Sequence, residues 1–509
     1  MGEDRTKYLL PLPSRVLAVT MAAVPTFQRA QHGLGRIVAR HNGRSTSLQI
    51  SHRAPVRLVP LQSENAVCYL SNYGGGVLPG DVLEYEIRVE PQAQVVVATQ
   101  GHTRVYPQSP RLPEAPGETH LRAHVEGSLL VTPDPVTAMP ASQFRQTTHI
   151  DLAETADMVW IDWFSQPQDF QSTTTISLQQ QLLLRDATVM DPTTTIDFRA
   201  YCTIYLYRRP DVVAACQQVA TALAESSTRV RGSSASSSLQ LLPRLSGRVL
   251  GSLSRVQDDL TVVRWMAQSN EDLYRVLNAT VSLGDWHAYH DRIRAYRSPA
   301  VQELEDRPTP KSLEPLPAEP MENLWSAMVL ADSALPTGGF AHSSGLEAAF
   351  QMGLFSEAFL QQAVQSTMQL WTPLIRRAND EGIDALADVC LASNALAYEA
   401  SKEQGRNLAR LKKVAPGHLP VVWGRVAPLP ARQACEVLAY CVARDLVSAA
   451  VRLNAVGPLA SVSMLERAQE AGLRGIQTAW DWEVGAGCMP TLDVIQGCHD
   501  LLETRLFRS

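Results

Sequence analysis

Lysine is nearly absent from this 509-residue chain, occurring only at positions 7, 311, 402, 412 and 413, and no lysine follows a glycine. A phosphate loop of the Gly-Lys-Ser/Thr kind needs that lysine to reach the outer phosphates, so a nucleotide hydrolase of that kind is excluded. The eight cysteines, at 68, 202, 216, 390, 435, 441, 488 and 498, form no C-x-x-C pair. They read as small buried apolar residues in a reducing compartment. Twelve histidines include neither H-E-x-x-H nor a His-rich tract, which argues against a zinc hydrolase and against a metal store. No apolar run reaches the ~18 residues of a membrane span. The weakly apolar stretch 15–24 is a poor leader, with Glu3 and Asp4 before it and prolines at 11 and 13. A bare myristoylation pattern at the first residues reads as a chance match, because acids follow Gly2 directly. A net charge of −6 gives no reason to expect nucleic acid. The reading is a cytoplasmic protein with no membrane or nucleic-acid partner.

The sequence has two regions of different period. In "LEYEIRVE", 83–90, Leu83, Tyr85, Ile87 and Val89 alternate with charged residues, the pattern of a strand with one buried face. Similar strands are expected at 93–100, 127–133, 157–164 and 195–209, with helices near 211–224 and 270–280. Many short strands without alternating helices predict an antiparallel, layered β fold. A serine-rich loop is expected at 233–238. Residues 303–320, with five prolines and four glutamates, read as a semi-rigid linker. Beyond it the period becomes helical: in 430–453 the apolar residues 435, 438, 442, 446, 450 and 453 share one face. Further helices are expected at 322–333, 345–352, 356–371, 382–399, 460–472 and 491–506. The fold class is therefore a β-rich layered domain with a few helices (1–300), a Pro/Glu-rich linker (301–320) and an all-α domain (321–509).

The segment "ALPTGGFAHSSGLEAAF", 334–350, is the densest in candidate chemistry. A nucleophile elbow is excluded by the spacing and by the helical surroundings. A hydrolase using His342 with Ser343 or Ser344 stays open as the alternative, although no acid stands by to orient the ring. The structural reading makes Pro336–Gly339 a turn, Ser344–Glu347 an S-x-x-E capping box and Phe340 an anchor in the core. Among the histidines, His120 and His124 in a strand would stand about 13 Å apart and cannot chelate. His287 and His290 lie one turn apart on a helix and could bind metal or face solvent. Cys498, His499 and Asp500 fan out and cannot close on one ion.

The same segment resembles the signature of the urease accessory protein UreF family through Pro336, Gly338, Phe340, His342, Ser343, Gly345, Leu346 and Glu347. The resemblance continues at 401–411, 417–427, 449–459 and 499–509. The first region resembles the UreD (UreH) family at 53–62, 69–87, 93–106, 131–146 and 260–277. It departs after Trp163, where a Gly-Arg and Gly-Glu segment is expected and "FSQPQDFQSTTTISL" stands instead. What the resemblance implies is a natural fusion of two non-catalytic urease maturation chaperones, with a β-rich UreD half and an all-α UreF half. It further implies recruitment of a UreG-type GTPase to apo-urease, with nickel in transit rather than tightly bound, and dimerisation through the UreF-like half. The partner-binding residues expected are Arg505 and Arg508, in a terminal helix ordered by a partner, together with Gly338, His342 and Glu347. Asp81, Thr99, Thr103 and Tyr106 are expected to line a nickel passage, hard oxygen donors being suited to passing the ion on. Hydrogen bonding in strand turns is the competing role for these four.

Overall fold

The computed structural model describes residues 32–61, 66–73, 75–99, 101–108, 114–165, 169–190, 198–228, 248–281, 323–502 and 504–508. The expected linker, the His287/His290 pair, the serine-rich loop and the stretch 15–24 lie outside these residues. The chain begins with β1 (His32–His41), β2 (Thr46–Arg53), β3 (Val56–Leu61), β4 (Ala66–Asn72), β5 (Gly76–Val77) and β6 (Val82–Val89). Next come β7 (Gln94–Thr99), β8 (Thr103–Val105), β9 (Gly117–Val125), β10 (Ser128–Thr132), β11 (Val136–Ala138) and β12 (Gln143–Leu152). The strand half closes with β13 (Asp157–Ser165), β14 (Asp169–Leu178), β15 (Gln181–Met190), β16 (Ala200–Tyr207), α1 (Pro210–Thr228), β17 (Val249–Arg255), β18 (Leu260–Ala267) and α2 (Asn270–Thr280).

Two sheets face each other. The first runs β15-β14-β12-β9-β6-β1-β2, and the main path of the second runs β17-β18-β16-β13-β10-β7-β4-β3. The expectation of layered sheets holds, but that of antiparallel pairing does not. β1, β6, β9, β12 and β14 pair in parallel, as do β4, β7, β10 and β13. Only the flanks, such as β1–β2, β14–β15 and β13–β16–β18, are antiparallel. Parallel neighbours normally need a long crossover, usually a helix. Here the crossover runs through strands of the opposite sheet: β6 returns to β9 by way of β7 and β8, β9 to β12 by way of β10 and β11, and β12 to β14 by way of β13, so the strands that come back lie side by side and point the same way. The period-two pattern reports burial of one face and is blind to this choice.

Burial differs between the sheets for a local reason. On β12 every second residue is buried, because only one face meets the core. On β13 and β18 almost every residue is buried, because α1 and α2 cover the outer face of the second sheet, packing Val212, Val219, Leu273 and Val276 onto it.

The second half is helical: α3 (Leu324–Ala331), α4 (Leu346–Gln351), α5 (Glu357–Arg376), α6 (Ile383–Leu391), α7 (Ala395–Lys412) and α8 (Leu419–Val426), then α9 (Ala431–Arg452), α10 (Pro458–Ala479) and α11 (Pro490–Gly497). The single helix expected at 382–399 is two, since Asn394 breaks it and caps α7 by accepting from Ala397 N–H at 3.1 Å. The helix expected at 491–506 stops at Gly497 and continues as a 3₁₀ turn to Leu501, and the described tail beyond it is irregular. The segment α8 was not expected as a helix.

The halves share a polar seam. The buried Arg264 of β18 holds both oxygens of Asp186 on β15 at 2.8 and 2.9 Å and donates to the Ser393 carbonyl at 2.5 Å. Tyr205 donates to Asp186 at 2.8 Å. Asn394 donates to Asp493 at 2.8 Å; burial raises the Asp493 carboxyl, against the opposing pull of Arg264 and that hydrogen bond. Backbone contacts add Val189 N–H to Gly487 O and the Cys498 thiol to Gly251 O. A cavity of about 130 Å³ lies along the seam, lined by Asp186, Asp493, Gln496 and His342 among others.

Candidate functional site

Two arrangements gather the polar groups that sequence reasoning singled out. The first lies inside the strand half. The run "MVWIDWF" lacks polar alternation because both faces of β13 are covered, so its one acid, Asp162, is carried inside. Gln146 of β12 donates to its Oδ1 at 2.9 Å and Ser172 of β14 to its Oδ2 at 3.2 Å. Burial pushes its carboxyl up to about 6, against the pull of these two hydrogen bonds. Asp162 lines a cavity of about 240 Å³ together with Thr99, Thr103, His102, Asp134 and Gln146. Thr99 accepts from Asp134 N–H at 2.7 Å, and Tyr274 donates to Asp134 at 2.7 Å. Burial lowers the pKa of His102, opposed by the charge of Asp134.

Of the four passage residues expected, the structure therefore brings Thr99 and Thr103 to one cavity. Asp81 stands apart in the turn before β6, where its carboxylate accepts from Leu78 N–H at 3.1 Å. Tyr106 packs its ring against Gly76, leaving no room for a Cβ there. Asp162, Asp134, His102 and Gln146 were missed, although an acid inside an unbroken apolar run was a readable sign for Asp162. In the segment 164–178 that departs from the UreD pattern, the described residues form the end of β13 and the whole of β14.

The second arrangement is the loop 334–345 with the C-terminal tail. Gly338 turns the chain with φ +88°, and Gly339 lies so close to the Asp445 carboxylate that a side chain would not fit. The expected capping box does not form. Ser344 and Gly345 both adopt left-handed backbone, at φ +50° and +88°, and the cap of α4 comes from Ser343, which accepts from Glu347 N–H at 3.3 Å. The Glu347 side chain thereby faces the tail. Its Oε1 accepts from Leu506 N–H at 2.7 Å and its Oε2 from Phe507 N–H at 3.1 Å, with His499 Nε2 also 3.1 Å from Oε2.

Further contacts hold the tail. Arg508 N–H donates to Ala341 O at 2.8 Å and its guanidinium to Glu403 at 2.6 Å, while His342 Nε2 lies 3.9 Å from the same carboxylate. Arg505 pairs with Asp500 at 2.8 Å. Phe507 is buried beneath the Arg452 guanidinium, 4.4 Å from its ring. The tail is thus packed within the chain and is no helix, contrary to the expectation of a helix awaiting a partner. Phe340, expected as a core anchor, is 65% exposed, as is Leu506 at 62%. His342 is buried, which lowers its pKa, and the Ser343 oxygen is engaged as a cap rather than presented to a substrate.

All eight cysteines are buried, as expected, and none is in a disulfide. Cys498, His499 and Asp500 reach three different partners, Gly251, Glu347 and Arg505. Among the described residues no group of three metal-ligating side chains forms, and no helix is long and apolar enough to cross a membrane.

Comparison with known proteins adds to this geometry. A family model described as UreD urease accessory protein matches residues 31–297, and one described as UreF matches residues 347–469. Urease accessory protein F of Arabidopsis thaliana is 32% identical over 223 residues, covering 36% of this chain and 92% of that protein. The protein of the same name from Oryza sativa subsp. indica is 31% identical over 222 residues, 36% of this chain and 85% of its own length. Urease accessory protein UreD of Sorangium cellulosum is 29% identical over 173 residues, 31% of this chain and 54% of that protein. The chain thus matches about half the length of that UreD relative.

Proposed function

Because the chain belongs to the UreD and UreF families of urease accessory proteins, joined in one polypeptide, we propose that it is a non-catalytic scaffold for inserting nickel into urease. The observation that carries this reading is the graded cavity of the strand half. Half-buried Thr99 and Thr103 and fully buried Asp162 line one space, offering hydroxyl and carboxylate oxygens that a divalent cation in transit can exchange among. The scaffold would act in the cytoplasm, with apo-urease and a UreG-type GTPase as partners and a second copy bound through the UreF-like half.

Phe340, Leu506, Arg505 and Arg508 offer exposed apolar and cationic groups on neighbouring segments, a composition suited to a partner face. Gly338, His342 and Glu347 shape that face from beneath. No observation favours a hydrolase built on His342 and Ser343 or Ser344. The test is reconstitution: apo-urease, a UreG-type GTPase, GTP, bicarbonate and nickel, with and without the chain. Urease activity should rise above the mixture lacking the chain. No rise, with partner binding intact, would overturn the proposal.

A further inference from the structure

The two outer faces of the sandwich are unlike. α1 and α2 cover the second sheet, whereas the outer face of the seven-stranded sheet carries charged and polar side chains, many of them in matched pairs. Arg36 pairs with Glu86 at 2.6 Å, Arg40 with Glu90 at 2.9 Å and Arg145 with Asp169 at 3.1 Å. Against that background one row across the strands stands out. Arg122 on β9 is the register partner of His149 on β12, His149 of Thr175 on β14, and Thr175 of Arg185 on β15. Glu86 on β6 is the register partner of Arg122 but is ion-paired with Arg36; among the described residues neither Arg122 nor Arg185 forms an ion pair, and the Arg185 Nε is buried without a hydrogen-bond acceptor. His149 is held below its ordinary pKa by burial and then by Arg122, Arg185 and His120, so the positive charge of the row is that of Arg122 and Arg185.

We infer that this row is a docking surface for an acidic protein segment lying across the strands over Arg122, His149 and Arg185. The row spans three strand spacings, about 14 Å. Arg122, His149 and Thr175 line a broad depression of about 710 Å³ that crosses the sheet from Arg36 on β1 to Thr175 on β14, long enough to seat an extended segment. The matched ion pairs beside it carry alternating charge, which would fix the register of a partner without adding much affinity.

The test uses the full chain and a fluorescent peptide of ten glutamates, read by anisotropy at graded salt. The wild type should bind, with affinity falling as salt rises. The double variant Arg122→Glu/Arg185→Glu should bind at least tenfold more weakly, and Arg122→Gln/Arg185→Gln should fall between. Arg57→Glu, on exposed β3 of the other sheet, should match the wild type. Equal loss in Arg57→Glu, no loss in the double reversal, or no binding by the wild type would each overturn the assignment. So would displacement of the peptide by inorganic phosphate at matching concentration through the same two arginines, which would make the row a small-oxyanion site.

Discussion

Asp162 carries a cost that the fold alone does not require. Its carboxyl moves from 3.8 to about 6, and at about 1.4 kcal/mol per pH unit this amounts to about 3 kcal/mol. Because the folded pKa lies above the unfolded one, the neutral acid is favoured in the fold. The associated stability is present below pH 3.8 and is lost as pH rises through 6. Asp162→Asn keeps an acceptor for Gln146 and removes the charge. It should therefore melt like the wild type near pH 4 and be the more stable protein above pH 6, by up to about 3 kcal/mol in thermal or urea unfolding. In the reconstituted assay the same variant should insert nickel more slowly. A variant that gains no stability at neutral pH would show that the carboxylate is better solvated than its burial indicates. A buried charge retained at such a cost is more at home in a functional cavity than in a core.

At the scale of elements, the short helix α4 and the tail depend on one another. α4 has only six residues, too few to be stable alone, and the tail has no regular structure of its own. Glu347 joins them by accepting two tail N–H groups beside His499. Leaving such buried donors unmatched costs about 1–3 kcal/mol each, so Glu347→Ala should release the tail rather than keep it packed. Trypsin should then cleave after Arg505 at least tenfold faster, as followed by mass spectrometry, while the melting of the sheets changes little. Glu347→Gln, which keeps one acceptor oxygen, should lie between. The sequence had marked Glu347 but given it the wrong partner. An S-x-x-E pattern reads as a local capping box, and only the left-handed backbone of Ser344 and Gly345 turns the carboxylate away from its own helix.

For the whole molecule the decisive group is Arg264, which joins β15, β18 and the segment before α7. Arg264→Met would leave the Asp186 carboxylate buried with only the Tyr205 hydroxyl, and breaking a buried pair in this way costs about 3–5 kcal/mol. The two halves should then separate in calorimetry into two transitions, where the wild type shows one. A single cooperative transition in the variant would mean that the shared apolar core, which runs from the sheets to Leu346 and Leu492, suffices to couple them.

The sequence by itself determined the two regions of different period, the positions of most strands and helices, and the motifs that mark two families. These rest on burial patterns and turn chemistry within a dozen neighbouring residues. The bounds of α2, for example, follow from Ser269 accepting from Asp272 N–H ahead of an amphipathic run. Only the tertiary structure decided that the strands pair in parallel, since burial of alternate residues is the same in either direction. It also decided that Asp162, Thr99 and Thr103 share one cavity, that Glu347 binds the tail and that Arg264 joins the halves. Each of these contacts links residues far apart in the chain, and no local pattern specifies which distant groups a fold will bring within hydrogen-bonding reach.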